Sequence, residues 1–137
     1  MTVVRASAPA TRRGAAANFT GEVWQDEVVV GTAPSRLRAT VVSFTPGART
    51  AWHAHPVGQV LYCLSGVGRI CIGKGSEPQA IYPGDTVMIP PNAMHWHGAA
   101  PDRLFAHLAM SELGEAGQGT QWGEPVSDTD YRRAVAV

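Results

Sequence analysis

Short stretches that alternate apolar and polar residues, cut by Gly and Pro at intervals of roughly 8–12 positions, run through most of this chain and predict strands rather than helices. The clearest is residues 37–44, with Arg38, Thr40, Val42 and Phe44 on one face and Leu37, Ala39, Val41 and Ser43 on the other. Further strands are predicted at residues 19–24, 27–30, 49–55, 59–64, 68–72, 79–82, 86–89, 94–97 and 103–111. Pro46-Gly47, Pro56-Val57-Gly58, Pro83-Gly84-Asp85 and Pro90-Pro91-Asn92 supply turns between them. Ser65-Gly66-Val67 reads as the turn of a hairpin whose two arms carry Cys63 and Cys71 close to one another.

The pattern predicts one all-β sandwich or barrel spanning residues 18–137. Residues 1–17 are small and basic with no apolar period, and read as a flexible N-terminal arm ordered, if at all, by a partner subunit. A short C-terminal helix is predicted where Ser127 caps Asp128-Thr129-Asp130-Tyr131-Arg132-Arg133, and Trp122 is expected to pack back on the barrel.

Composition narrows the function. The chain has 137 residues, enough for a core that needs no metal or disulfide, so a bound metal would serve chemistry. Eleven basic residues balance eleven acidic ones, which argues against nucleic acid or an anionic membrane as partner. No apolar run approaches the ~20 residues of a membrane span, and the basic start lacks a signal peptide's apolar core. With only two cysteines, read as small buried apolar residues, the expected location is the cytoplasm. Tyr62 and Leu64 lie opposite Leu61 and Cys63, and Leu108 and Met110 lie opposite His107, so both faces of these strands are apolar. A homodimer or homotetramer would cover the outer face.

All five histidines fall between positions 53 and 107, as His53-Ala54-His55, His95-Trp96-His97 and His107. Side chains two apart on a strand share a face, so each pair presents two imidazoles to one pocket, and Gln59 can return to the first pair from the next strand. Neutral imidazoles with one oxygen donor suit Mn, Fe, Zn, Ni or Cu, and His53, His55, Gln59 and His95 form such a set. Gln59 can equally be a hydrogen-bonded core amide. His97 and His107 form a second tier, where one serves as general base or acid or else orients a ligand.

These residues resemble the two motifs of the cupin superfamily. Gly47, His53-x-His55, Gln59 and Gly66 fall at the first motif's spacing, with glutamine where many cupins carry glutamate. Gly84, Pro90-x-Asn92 and His95 fall at the second, with Asn92 in place of glycine and Ala99 in place of a terminal asparagine that is not a ligand. Asparagine tolerates the left-handed turn that glycine usually supplies. A longer run, from Pro46 to Pro56 with Gln59, residues 95–101, His107-Leu108-Ala109 and Tyr131-Arg132-Arg133, is similar to the small bacterial cupins that include manganese-dependent hydroxynitrile lyases.

The resemblance implies a jelly-roll barrel, a divalent metal held by His53, His55, Gln59 and His95, and an oligomer built on dimers. Mn(II) is the ion it implies, with Fe(II), Zn(II) or Ni(II) as alternatives. For a small-molecule substrate it implies His97 or His107, with Thr50, as catalytic residues. Thr40, Val42, Arg49 and Ser111 are the expected substrate-binding residues, Arg49 being either a charge at the pocket's lid or a structural ion-pair partner. One fold and one metal set host many reactions. A cyanohydrin lyase, a metallo-cupin dioxygenase or polyketide cyclase or isomerase, and a non-catalytic metal or metabolite binder all fit the pattern.

Overall fold

The computed structural model describes residues 1–136. In chain order the strands are β1 Arg12–Arg13, β2 Phe19–Thr20, β3 Val23–Val30, β4 Leu37–Phe44, β5 Arg49–Thr50, β6 His53–Ala54, β7 Gln59–Gly66, β8 Gly68–Ile72, β9 Gln79–Ile81, β10 Thr86–Ile89, β11 His95–Ala99, β12 Phe105–Glu112 and β13 Gln121–Trp122. Helix α1, Asp128–Tyr131, closes the fold, and the Ser127 hydroxyl accepts from the Asp130 N–H at 3.1 Å as its cap.

Two antiparallel sheets curl over one core. The first runs β1-β3-β4-β12-β7-β10, and the second runs β13-β6-β11-β5-β2 with β8 and β9 attached through β11. In the first sheet the period of two holds as expected: Val42 and Phe44 on β4, Leu61 and Cys63 on β7, and Phe105 and His107 on β12 are buried. With Val23, Ile70, Ile81, Ile89 and Ala99 they fill the space between the sheets. Chain topology and core together make this a jelly-roll barrel.

Three local expectations are corrected. Residues 49–55 do not form one strand. The chain leaves the ladder at Ala51 and Trp52, whose N–H groups go to Asn18 O and Glu124 O, so two short strands result. Residues 59–72 do not form a hairpin: β7 pairs with β12 and β10, whereas β8 pairs with β11 and β9. The chain crosses between sheets at Gly66, which has φ +77°, and any Cβ there would run into Leu104 O. Cys63 therefore lies in the main core while Cys71 packs with Trp52, Trp96, Val126 and Tyr131, and both thiols are free.

The basic arm is the third correction. Arg12 and Arg13 pair with Gln25 and Trp24 to form an edge strand, with the Arg13 guanidinium 5.8 Å from the Trp24 ring and Arg12 beside Glu27 at 3.9 Å. Asn92 behaves as the resemblance implies. Its φ is +60°, and its N–H donates to His55 O at 2.8 Å, which ties the second motif to the first.

The C-terminal tail is latched to the second sheet. Tyr131 is buried, donates its hydroxyl to Ala99 O at 2.6 Å, and lies under the guanidinium of Arg49 at 4.4 Å. Arg49 in turn donates to Val126 O at 2.9 Å and Asp128 at 2.8 Å.

Candidate metal centre

Strands β6 and β11 set His53 directly opposite His95 in the ladder, and their rings stand 4.1 Å apart. His55 follows β6 with its ring 5.1 Å from His53 and 5.4 Å from His95. His97 lies two residues beyond His95 on β11, and Gln59 opens β7. All of these side chains are buried or nearly so.

The hydrogen bonds on the far side of each ring decide what the near side offers. A carbonyl oxygen only accepts, so the Nδ1 atoms of His53 and His95, each 2.8 Å from Ala51 O or Ala93 O, must carry the proton. Their Nε2 lone pairs are then free. His55 Nδ1 meets Thr120 Oγ1 at 3.3 Å, which gives that ring the same orientation. His55 Nε2, His95 Nε2 and Gln59 Oε1 are buried with no hydrogen-bond partner in the protein. Buried polar atoms without partners are costly, and a cation facing several lone pairs would satisfy them at once. Neutral nitrogens with one amide oxygen fit a divalent transition ion.

Electrostatics keep the rings in the form that binds metal. Burial pushes His95 down to about 4 and holds His53 well below the ordinary histidine value, with neighbouring imidazoles adding to the effect at both. Burial also lowers His55, while the nearby Gln59 side chain, whose oxygen could accept from a charged ring, works the other way. Near neutral pH these rings are uncharged and their lone pairs need not be freed of protons.

Three buried histidines, His53, His95 and His97, have ring nitrogens within 4.8 Å of one another and can hold a metal ion. This closest trio contains His97 where the sequence pattern points to His55. His97 Nδ1 is 3.0 Å from His107 Nε2, so one proton is shared between these two rings and His97 Nε2 faces the centre without a partner. Burial and the neighbouring imidazoles, His107 first among them, hold His97 far below its usual value, and burial lowers His107 to about 3. Phe44 packs against both rings, and the His97 N–H donates to Thr50 Oγ1 at 3.2 Å.

A pocket of about 180 Å³ opens beside this cluster. Thr40, Val42, Thr50 and Ser111, the residues to which the resemblance points, contribute to its wall together with His53, His55, Gln59 and His97. His95 and His107 lie behind that wall, fully buried. Arg49 does not reach the pocket. Its guanidinium is committed to Val126, Gly47, Asp128 and the Tyr131 ring, so the structural alternative holds.

Several lining residues escape the sequence reading. Arg38 and Gln25 were detectable in principle, since Arg38 shares the Thr40–Val42 face and Gln25 sits opposite Val42. Thr120 and Trp122 arrive on β13, and Trp122 lies 4.8 Å from the His53 ring. Only the tertiary course of the tail brings them there. A wider apolar groove of about 470 Å³, lined by Leu37, Met88, Pro90 and Met110 among others, lies outside the first sheet and contains none of the histidines.

A barrel of two curled antiparallel sheets with a histidine cluster between them defines a small, single-barrel cupin. Comparison with known families agrees: residues 40–108 match the family described as the cupin domain, and the chain belongs to that family. Over 133 residues, 97% of this chain and 100% of the relative, it is 41% identical to an (R)-mandelonitrile lyase from Granulicella tundricola. Among solved structures, a cupin-like protein from Thermotoga maritima superposes with a TM-score of 0.83 at 34% identity, covering 98% of both chains. A polyketide cyclase from Streptomyces resistomycificus shares the fold, with a TM-score of 0.73 at 16% identity over 96% of this chain and 90% of the cyclase.

Proposed function

We propose that this cupin is a metal-dependent carbon–carbon lyase of the hydroxynitrile lyase type, which cleaves or forms cyanohydrins. The observation that carries the reading is the neutral His97–His107 pair, buried beside a cluster of free imidazole nitrogens and opening on a small pocket. Simple binding needs no such base, whereas proton transfer does. The named activity of the Granulicella relative supports it.

His53, His55, Gln59 and His95 would hold the metal, with Mn(II) the ion implied by resemblance and Fe(II), Zn(II) or Ni(II) as alternatives. When bound, the ion supplies Lewis-acid stabilisation of negative charge on a substrate oxygen. The protein's own residues do the rest. With the Nδ1 hydrogen of His97 donated to His107 Nε2, His97 Nε2 presents a lone pair to the pocket and takes the proton of the cyanohydrin hydroxyl. The O–H electron pair becomes the second bond of the aldehyde carbonyl, the carbon–carbon pair leaves with cyanide, and the proton on His97 is returned to cyanide. Thr50, which accepts from the His97 N–H, keeps its own hydroxyl hydrogen for a substrate oxygen. Thr40, Val42 and Ser111 shape the space around the substituent.

The decisive experiment is benzaldehyde release from mandelonitrile under anaerobic conditions, with metal restored. Release without oxygen is expected. Release that requires oxygen, or none with Mn, Fe or Zn restored, removes the lyase reading.

A further inference from the structure

Arg38, exposed to solvent at the rim of the 180 Å³ pocket, is the one side chain of its lining that carries a full charge at neutral pH, and no carboxylate is paired with it. No carboxylate lines that pocket among the described residues. The acids nearest in sequence register are committed or turned away: Glu27 sits beside Arg12 at 3.9 Å, Asp26 accepts from Thr11, and Glu112 lines the groove outside the sheet with Leu37. Among the described residues Arg38 makes no ion pair and no side-chain hydrogen bond.

The sheet register gives this arginine a place relative to the site. Arg38 pairs with Ser111, and Ser111 pairs with Gln59, so the three form one row across β4, β12 and β7 on the inner face. The next row inward is Thr40 and Ala109, and the row beyond is Val42 and His107. Four residues at about 3.3 Å each put the Arg38 backbone roughly 13 Å from the row of His107, the partner of the proposed base, a gap that its long side chain partly spans. The pocket thus has a proton-transferring end and a cationic end, separated by small and apolar side chains. Its volume of about 180 Å³ suits a small molecule.

We infer that the pocket takes a substrate with a carboxylate remote from its reacting carbon, and that Arg38 is the specificity residue that binds it. A guanidinium presents a planar fork of donors that matches a carboxylate, and an unpaired arginine at the rim of a pocket without acids is free to make that fork with a ligand. Ser111 adds a hydroxyl donor in the same row. The position of the reacting carbon rests on the lyase reading; the anion-binding end does not.

The test is binding by calorimetry to the full chain, using two matched pairs of aldehydes: para-formylbenzoate with para-formylbenzamide, and succinic semialdehyde with its amide. In at least one pair the anion should bind roughly tenfold more tightly than the neutral amide, with the margin shrinking as salt is added. Arg38→Gln should abolish the margin while leaving amide affinity unchanged, and Arg38→Lys should restore part of it. Equal binding of anion and amide in both pairs, absence of measurable anion binding, or a margin that survives Arg38→Gln overturns the inference. Cyanide release is read separately. An Arg38-dependent margin in a protein that cleaves no cyanohydrin leaves the anion site standing without the lyase reading, and mandelonitrile cleavage with no margin does the reverse.

Discussion

Two imidazoles 3.0 Å apart, both fully enclosed, cannot both carry charge without severe cost, and burial holds each of them neutral. In the proposed reaction His97 is then a base whose proton affinity is set first by burial and next by its partner His107. Replacing His97 by alanine should lower kcat by at least about 100-fold while the protein keeps its metal, as measured by metal content beside turnover. Because His97 also belongs to the closest histidine trio, loss of metal in the same variant would make it a ligand and pass the role of base to His107. At this scale much of the site was legible. The His-x-His pairs follow from a period of two, Gln59, Thr40, Val42 and Ser111 from the resemblance, and all of them reach the cluster or its pocket. Arg49 was not legible in the same way: spacing places it on a strand near the histidines, but whether its guanidinium turns to the pocket or to Asp128 depends on where the tail docks.

At the level of elements, β11 is shared between the histidine cluster and the tail. One side of it pairs with β6 and β5, and its end at Ala99 accepts the Tyr131 hydroxyl. Tyr131→Phe keeps the ring and its contacts with Trp96 and Arg49 but leaves a buried carbonyl short of a donor. Denaturant unfolding should report a loss of about 1–2 kcal/mol. A loss indistinguishable from zero would mean that the tail is held by its apolar contacts alone. The strands themselves were readable from alternation, as β4, β7 and β12 show. Their assignment to sheets was not. Residues 59–72 look like a hairpin because the local pattern of apolar arm, Gly turn and apolar arm is the same whether the second arm folds back or crosses to the opposite sheet. That choice is made by the backbone of Leu104 closing on Gly66, a contact between residues far apart in the chain.

For the molecule as a whole, the outer face of the first sheet carries exposed Tyr62, Leu64 and Met88, with half-buried Val60, Leu108 and Met110 between them. Such a surface is better buried than solvated, and we propose that it pairs with its counterpart on a second copy. Light scattering should give twice the mass of the chain, and Tyr62→Glu with Met88→Glu should halve it; a monomeric parent protein would end the proposal. The barrel class was legible from strand spacing and turn residues, whereas the edge strand at Arg12 and Arg13 was not, since two arginines have no apolar signal and are held by Trp24 and Glu27.

Strand β13 has one partner in the sheet, β6, which carries His53, and it also brings Thr120 to His55 and Trp122 to His53. The tail and the histidine cluster therefore share one free-energy balance. In the proposed metal site an ion that orders the rings would also fasten the tail, and a change that loosens the tail would uncover the pocket, so that occupancy of the centre and access to it would be coupled.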